Sequence, residues 1–150
     1  MLLRDDRQMA VNAVETLCFE TADAYAAAAA KTADPSLARL FDALAGQRRE
    51  LAAELARHIR ALDDLPQQPD PDREALDHVL DGIKAYLSGN ADLALIDARE
   101  QAEDKLVAAS QEALRHDLPA ETQALLDRIA AHAVSTKREL AAARPPVNQM

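Results

Sequence analysis

Apolar residues recur at helical spacing over four long stretches of this chain. In each stretch they lie three or four positions apart, which is the period of one face of an α-helix and not the alternation of a β-strand. Strong helix formers, above all Ala, Leu, Arg, Glu and Gln, fill most of the other positions. The pattern predicts an all-α fold with helices over about residues 6–31, 35–62, 92–116 and 120–143.

Short connections separate the first helix from the second and the third from the fourth. Asp34 can accept hydrogen bonds from the free N–H groups at the start of the second helix, and Pro35 suits its first position. Pro145 and Pro146 end the fourth helix, so residues 144–150 are predicted to form a tail. Because short connections join antiparallel neighbours, the sequence predicts two helical hairpins.

The connection between the two hairpins, over residues 63–91, is too long for a simple turn. Its apolar residues are spaced as a short amphipathic helix over about residues 71–87: Leu76, Val79, Leu80, Ile83 and Leu87. In ferritin-like bundles the second connection is the long one, because it carries the chain along the bundle. We therefore expect one ferritin-like four-helix-bundle domain over residues 1–150, with a crossover that contains an extra helix.

Charged residues occupy positions on the apolar stripes that are predicted to face inward. In the third helix Arg99 and Glu103 fall within roughly 40° of the centre of the stripe, at about 100° per residue. In the second helix Arg48 fills the gap between Leu44 and Leu51. Burying an unpaired charge costs several kcal/mol. The sequence therefore predicts a buried charge layer of Arg48, Arg99 and Glu103 near the middle of the bundle.

A carboxylate metal site is the alternative interpretation of the same region. Facing helices that project Glu and His inward at one height can bind iron or manganese. The candidate ligands here are Glu20, Glu103 and His132, with Glu100 or Glu50 assisting.

The pattern of these candidates differs from that of a di-iron bundle, which carries two Glu-x-x-His motifs. The corresponding positions read Gln47-x-x-Glu50 and His132-x-x-Ser135. The permanent charge of Arg48 beside a dication would also need further carboxylates. The sequence therefore favours a structural network of arginine and carboxylate, without a cofactor, over a metal site.

Composition narrows the possible functions further. The formal net charge of −9 argues against a nucleic-acid partner, which would call for a basic surface. The sequence contains neither a membrane-spanning apolar run nor an apolar leader in its first ten residues, so we expect a cytoplasmic protein without a membrane partner. With one cysteine and three glycines it also lacks the motifs of multi-cysteine metal sites, nucleophile elbows and P-loops.

Several short motifs recur in an order that resembles a known family: Cys18 and Tyr25, Asp34-Pro35, Leu40-Phe41, Gln47-Arg48, Glu100 with Glu103-Asp104, and Asp117-Leu118-Pro119 before Leu125-Leu126. Over about Ala10 to Leu140 the chain is similar to an uncharacterised bacterial family of four-helix bundles. The resemblance implies a ferritin-like bundle of two hairpins and no assigned reaction. Relatives carry Glu at the position of Ala22 and an imidazole near that of Lys137, and this chain departs from both.

The sequence as a whole predicts a non-catalytic, ferritin-like helical-bundle protein with a structural or interaction role. We expect it to form a homo-oligomer in a bacterial cytoplasm, and analogy with the fold links it to stress response. The alternative function is an iron or manganese oxidase or store that retains a degenerate di-metal site.

Overall fold

The computed structural model describes residues 6–61 and 91–144. Within these ranges the chain forms four helices and no strand: α1 Asp6–Lys31, α2 Pro35–Ala61, α3 Ala91–Leu114 and α4 Ala120–Ala142. The predicted all-α four-helix bundle is confirmed for these residues, and the predicted helix bounds agree with the observed ones to within two residues. The helix predicted for about residues 71–87 lies outside the described residues, as does the tail after residue 144.

The turn between α1 and α2 has the hydrogen bonds that the sequence predicts. Oδ1 of Asp34 accepts a hydrogen bond from the backbone N–H of Ser36 (2.9 Å), and Pro35 is the first residue of α2. The backbone N–H of Asp34 donates in turn to Oγ1 of Thr32 (3.1 Å). Asp34 therefore caps α2 and satisfies one of the donors that a helix start leaves free.

Contacts at the two ends of the bundle give the direction of each helix. Thr32, just after α1, donates to Oδ1 of Asp92 in the first turn of α3 (2.7 Å). Arg7, at the start of α1, donates to the carbonyl oxygen of Asp117, just after α3 (3.1 Å). Helices α1 and α3 are therefore antiparallel. Because the short turn makes α2 antiparallel to α1, α2 and α3 run parallel, and Ala61 and Ala91 lie at opposite ends of the bundle.

The helices bury two apolar clusters, one above the other along the bundle. Helix α1 packs along α2 and α3, and α3 packs along α4, whereas α2 and α4 meet over a shorter contact. The lower cluster includes Val14, Cys18, Leu55, Leu106, Leu126 and Ile129. The upper cluster includes Tyr25, Phe41, Leu44, Ile96 and Leu140. The residues between the two clusters are polar.

The outward faces of the helices are mainly polar. Among the large apolar side chains that the structure describes, Met9 and Val134 are the exposed ones. No helix within residues 6–61 and 91–144 combines the length and the apolar character needed to cross a membrane.

Candidate functional site

A layer of buried polar side chains crosses the bundle between the two apolar clusters. Each helix contributes one residue at this height: Thr21, Arg48, Glu103 and Thr136. Each lies three or four positions from an apolar core residue on its own helix, so helical periodicity alone points it inward. We call these four residues, together with the side chains that contact Arg48 and Glu103, the mid-bundle layer.

The centre of the mid-bundle layer is an ion pair between Arg48 and Glu103, both of which are completely buried. Nη2 of Arg48 donates to Oε1 of Glu103 at 2.6 Å, and Nη1 donates to Oε2 at 3.1 Å. The two parallel hydrogen bonds match the planar fork of a guanidinium to a carboxylate. The pair joins α2 to α3 across the interior of the bundle.

The remaining terminal N–H groups of Arg48 also have acceptors. Nη1 donates to Oγ1 of Thr21 (2.9 Å), and Nη2 donates to Nδ1 of His132 (3.0 Å). The hydroxyl proton of Thr21 is directed to the carbonyl oxygen of Leu17 (2.8 Å), which leaves a lone pair facing Arg48. Arg48 therefore binds one side chain from each of the other three helices, and within the described residues only its Nε has no acceptor.

Tyr25 completes the hydrogen bonding of the Glu103 carboxylate. Its hydroxyl group donates to Oε2 of Glu103 (2.7 Å). Burial raises the pKa of Tyr25 well above its usual value, and the neighbouring charge of Glu103 raises it further. The phenol is therefore protonated at every physiological pH and acts as a donor.

Arg99, predicted for the same layer, lies beside the ring of Tyr25. Its side chain is half-buried, and its guanidinium carbon lies 6.0 Å from the centre of that ring. Arg48 and the Tyr25 hydroxyl group bind the Glu103 carboxylate. Arg99 makes a cation–π contact with the ring of the same tyrosine.

His132 connects the buried layer to the surface. Its Nδ1 must accept the hydrogen bond from Arg48, because a guanidinium has donors and no acceptor. The proton of the neutral ring is therefore on Nε2, which donates to Oε1 of the exposed Gln47 (2.9 Å). Partial burial lowers the pKa of His132 to about 4, and the charge of Arg48 acts in the same direction. The ring is neutral at pH 7, with both nitrogens engaged.

The structure brings together two of the five predicted metal ligands. Glu103 and His132 both accept hydrogen bonds from Nη2 of Arg48. Glu100 pairs with Arg144 at the outer edge of α3 and α4, Glu20 is half-buried on α1, and Glu50 is exposed on α2.

This set of donors does not fit an iron or manganese site. Such sites in four-helix bundles use several carboxylates together with imidazoles, whereas the layer offers one carboxylate and one neutral imidazole. Within residues 6–61 and 91–144 no group of three or more His, Cys, Asp or Glu side chains could hold a metal ion. A permanent cation also occupies the space between the two candidate ligands.

Ala22 and Lys137, the two positions that the family resemblance singled out, also offer no ligand. Ala22 is completely buried and carries no donor atom. Nζ of Lys137 is paired with Oδ1 of Asp104 (2.6 Å) on the surface formed by α3 and α4. Neither side chain can coordinate a cation in this arrangement.

Sequence reasoning missed some buried polar residues of α1. Helical spacing places Tyr25 on the apolar face of α1 with Val14 and Cys18, although its hydroxyl group belongs to the mid-bundle layer. Asn12 and Glu15 are also buried, and they lie one and four residues after the buried Val11. The helical spacing that singled out Arg48 could have identified Glu15 in the same way.

Helices α2 and α4 are joined by polar bridges, which we call the α2/α4 seam. Besides Gln47 and His132, the seam contains an ion pair between Glu54 and Arg128 (2.8 Å). It also contains a hydrogen bond between Nδ1 of His58 and Oγ1 of Thr122 (3.1 Å). The partners run in opposite directions along the two helices, so α2 and α4 are antiparallel.

Comparison with known proteins identifies a family whose function is unknown. The family model described as Domain of unknown function (DUF2383) matches residues 9–116. The matched segment contains Thr21, Arg48 and Glu103 and ends before α4, which carries His132. No curated protein matches the chain significantly.

Proposed function

Because the chain belongs to the DUF2383 family of domains of unknown function, we propose its role from the site alone: a non-catalytic helical-bundle protein that serves as a structural or interaction scaffold. The observation that carries this proposal is the bidentate pair of Arg48 and Glu103 at the centre of the bundle. In this role the pair fixes the relative height of the helices.

The hydrogen bonding of the layer supports a structural role. Both oxygens of Glu103 accept hydrogen bonds from Arg48, and Oε2 accepts another from Tyr25. A group that acts on a substrate needs an open position beside it, and a buried pair with all of these contacts has none. A satisfied buried polar network instead makes one arrangement of the helices more favourable than shifted ones.

A small cleft at one end of the bundle does not suggest a substrate site. It has a volume of about 50 Å³ and is lined by Arg7, Gln8, Leu118 and Pro119. Sites for metabolites are several times larger, at roughly 300 Å³ or more. A cleft of this volume has the size of a site for water molecules.

The proposal is tested by comparing the wild-type protein with Glu103→Ala, with the neighbouring Asp104→Ala as the matched control. Removing Glu103 leaves Arg48 buried and without its counter-ion, which we expect to lower the free energy of unfolding by about 3–5 kcal/mol. Asp104 pairs with Lys137 at the surface, so we expect its removal to change stability little. Urea unfolding monitored by circular dichroism measures both effects.

Metal content is measured on the same three proteins after aerobic incubation with iron(II) or manganese(II) and desalting. We expect substoichiometric metal in all three and the same loss of stability in Glu103→Ala with or without added metal. Near-stoichiometric iron or manganese in the wild type that disappears in Glu103→Ala would contradict the proposal and support the metalloprotein alternative.

We extend the proposal to partners and location. The net charge of −9 disfavours nucleic acid and leaves protein surfaces, including a second copy of this chain, as the partner class. A homo-oligomer in the cytoplasm is the specific form proposed. Size-exclusion chromatography with light scattering tests the oligomeric state, and a monomer at micromolar concentration would contradict it.

A ferritin-like topology is also part of the proposal. The parallel arrangement of α2 and α3 supports it, because Ala61 and Ala91 then lie at opposite ends of the bundle. The proposed link to stress response rests on analogy of fold.

A further inference from the structure

We propose that the mid-bundle layer is a binding site for a planar monocation of the guanidinium class, which Arg48 itself fills in the wild-type protein. This inference rests on the proposed structural role of the layer. It goes further because it states that the surrounding side chains would bind a guanidinium group even if that group were not attached to α2.

The hydrogen-bond acceptors around Arg48 come from three helices, and all of them bind the terminal nitrogens of its planar guanidinium group. Both oxygens of Glu103, Oγ1 of Thr21 and Nδ1 of His132 lie 2.6–3.1 Å from the two terminal nitrogens. These are hydrogen-bond distances. The carboxylate also presents its two oxygens side by side, which is the arrangement that a guanidinium fork recognises.

The charge balance favours a monocation over a dication. The buried carboxylate of Glu103 contacts the guanidinium and carries one negative charge, so one positive charge is enough to neutralise it. A dication at the same place would exceed the charge of the Glu103 carboxylate by one. Uncompensated buried charge is strongly unfavourable.

His132 links the mid-bundle layer to the surface at the α2/α4 seam. Its ring is half-buried, its Nδ1 accepts a hydrogen bond from Arg48, and its Nε2 donates to the exposed Gln47. A small cation would enter here by displacing the contact between Gln47 and His132.

Truncation of Arg48 tests the inference by chemical rescue. Arg48→Ala removes the guanidinium and its stem, and ethylguanidinium carries the same heavy atoms that the substitution removes beyond Cβ. We expect millimolar ethylguanidinium to raise the melting temperature of Arg48→Ala by about 3–6 °C at ten times its dissociation constant. Guanidinium should act more weakly, and ethylammonium, which has the charge without the fork, should have little effect.

Two further variants make the result specific to the layer. Arg49→Ala is the matched control, because Arg49 is the next residue and makes a longer, exposed ion pair with Asp23 (3.6 Å). It should show no rescue. In Arg48→Lys the ammonium occupies the site, so the bundle should fold and should not respond to ethylguanidinium.

Each outcome bears on the inference. If Arg48→Ala is unfolded alone, ethylguanidinium should restore its helical circular dichroism, whereas an equal concentration of sodium chloride should not. Failure of ethylguanidinium to stabilise or refold Arg48→Ala, while Arg48→Lys folds, would overturn the inference. Stabilisation by manganese(II) or zinc(II) in its place would also overturn it. The proposed function is tested separately, because it fails only if the wild-type protein binds metal or if Glu103→Ala is neutral.

Discussion

Arg48 is unusual among buried residues because its charge is matched so completely. All four of its terminal N–H groups donate to acceptors on the other three helices. Its desolvation is therefore offset by an ion pair and by hydrogen bonds to neutral groups, and such compensation is needed to keep an arginine in an apolar core. Removing one partner should therefore destabilise the fold by far more than the intact pair stabilises it, because the other charge is left buried and unpaired.

His132 is held in one protonation state by the same contacts. Protonation of Nδ1 would remove the acceptor of Arg48 and place two cations about 3 Å apart. The histidine therefore works as a neutral acceptor within the layer, and acid is the condition that should disturb it.

We expect the stability of the bundle to fall as the pH drops from about 6.5 towards 4. The pKa of His132 is about 4 in the folded protein, whereas its ordinary value of 6.5 applies in the unfolded chain. Between pH 4 and pH 6.5 the unfolded chain therefore binds more protons than the folded protein. After allowance for the half-exposed ring, the loss is about 1–2 kcal/mol. Urea unfolding at several pH values measures it.

His132→Gln and His58→Gln provide the comparison for the pH dependence. The first should remove the histidine contribution to the slope of stability against pH. The second, which changes another histidine of the α2/α4 seam, should keep that contribution. Equal slopes in the wild type and His132→Gln would show that carboxylates alone account for the acid sensitivity.

At the scale of the helices, the two long contacts of α1 and the single seam between α2 and α4 differ in kind. Helix α1 contributes apolar residues to both clusters along its contacts with α2 and α3, besides the polar contacts of Thr21 and Tyr25, whereas the shorter α2/α4 seam is bridged by polar pairs. Burial differs within the seam, because Thr122 is buried and Arg128 is more than half exposed. Polar bridges with similar distances should therefore contribute unequally to the free energy of unfolding.

Double-mutant cycles on the seam should measure this difference. We expect the coupling energy between His58 and Thr122 to be about 1 kcal/mol, because Thr122→Val removes the hydrogen-bond partner from a buried position. The coupling between Glu54 and Arg128 should be smaller, since solvent screens an exposed ion pair. A larger coupling for the exposed pair, from the same urea titrations, would argue against burial as the deciding factor.

At the scale of the whole molecule, Cys18 reports on opening of the bundle. It is completely buried in the lower apolar cluster, and burial raises the pKa of its thiol to about 12. The reactive thiolate is therefore almost absent in the folded protein, and reagents cannot reach the sulfur. Alkylation requires the helices around it to separate.

We expect iodoacetamide to modify Cys18 in the native protein at pH 8 at least about 10³-fold more slowly than in denaturant. Mass spectrometry follows the reaction. Val134→Cys in a Cys18→Ala background is the control, because Val134 is exposed on α4 and its thiol should react freely. Rapid native labelling of Cys18 would mean that the lower cluster opens without global unfolding.

The sequence determines much of the architecture of this protein because helix formation and helix faces are local properties. Apolar spacing located the four helices, and Asp34-Pro35 marked the start of α2. The same spacing pointed Arg48 and Glu103 inward, because a residue's face on a helix depends only on its position along it.

Only the tertiary structure decided which inward-facing residues meet. Arg99 and Glu103 share a face of α3, yet Glu103 pairs with Arg48 and Arg99 lies over Tyr25. Tyr25 was an apolar position in the sequence pattern and became a hydrogen-bond donor in the structure. These outcomes depend on the relative height and rotation of helices that are far apart in the chain, and on the space left once one arginine fills the centre. The periodicity of a single helix predicts neither how other helices are placed against it nor how much space is left between them.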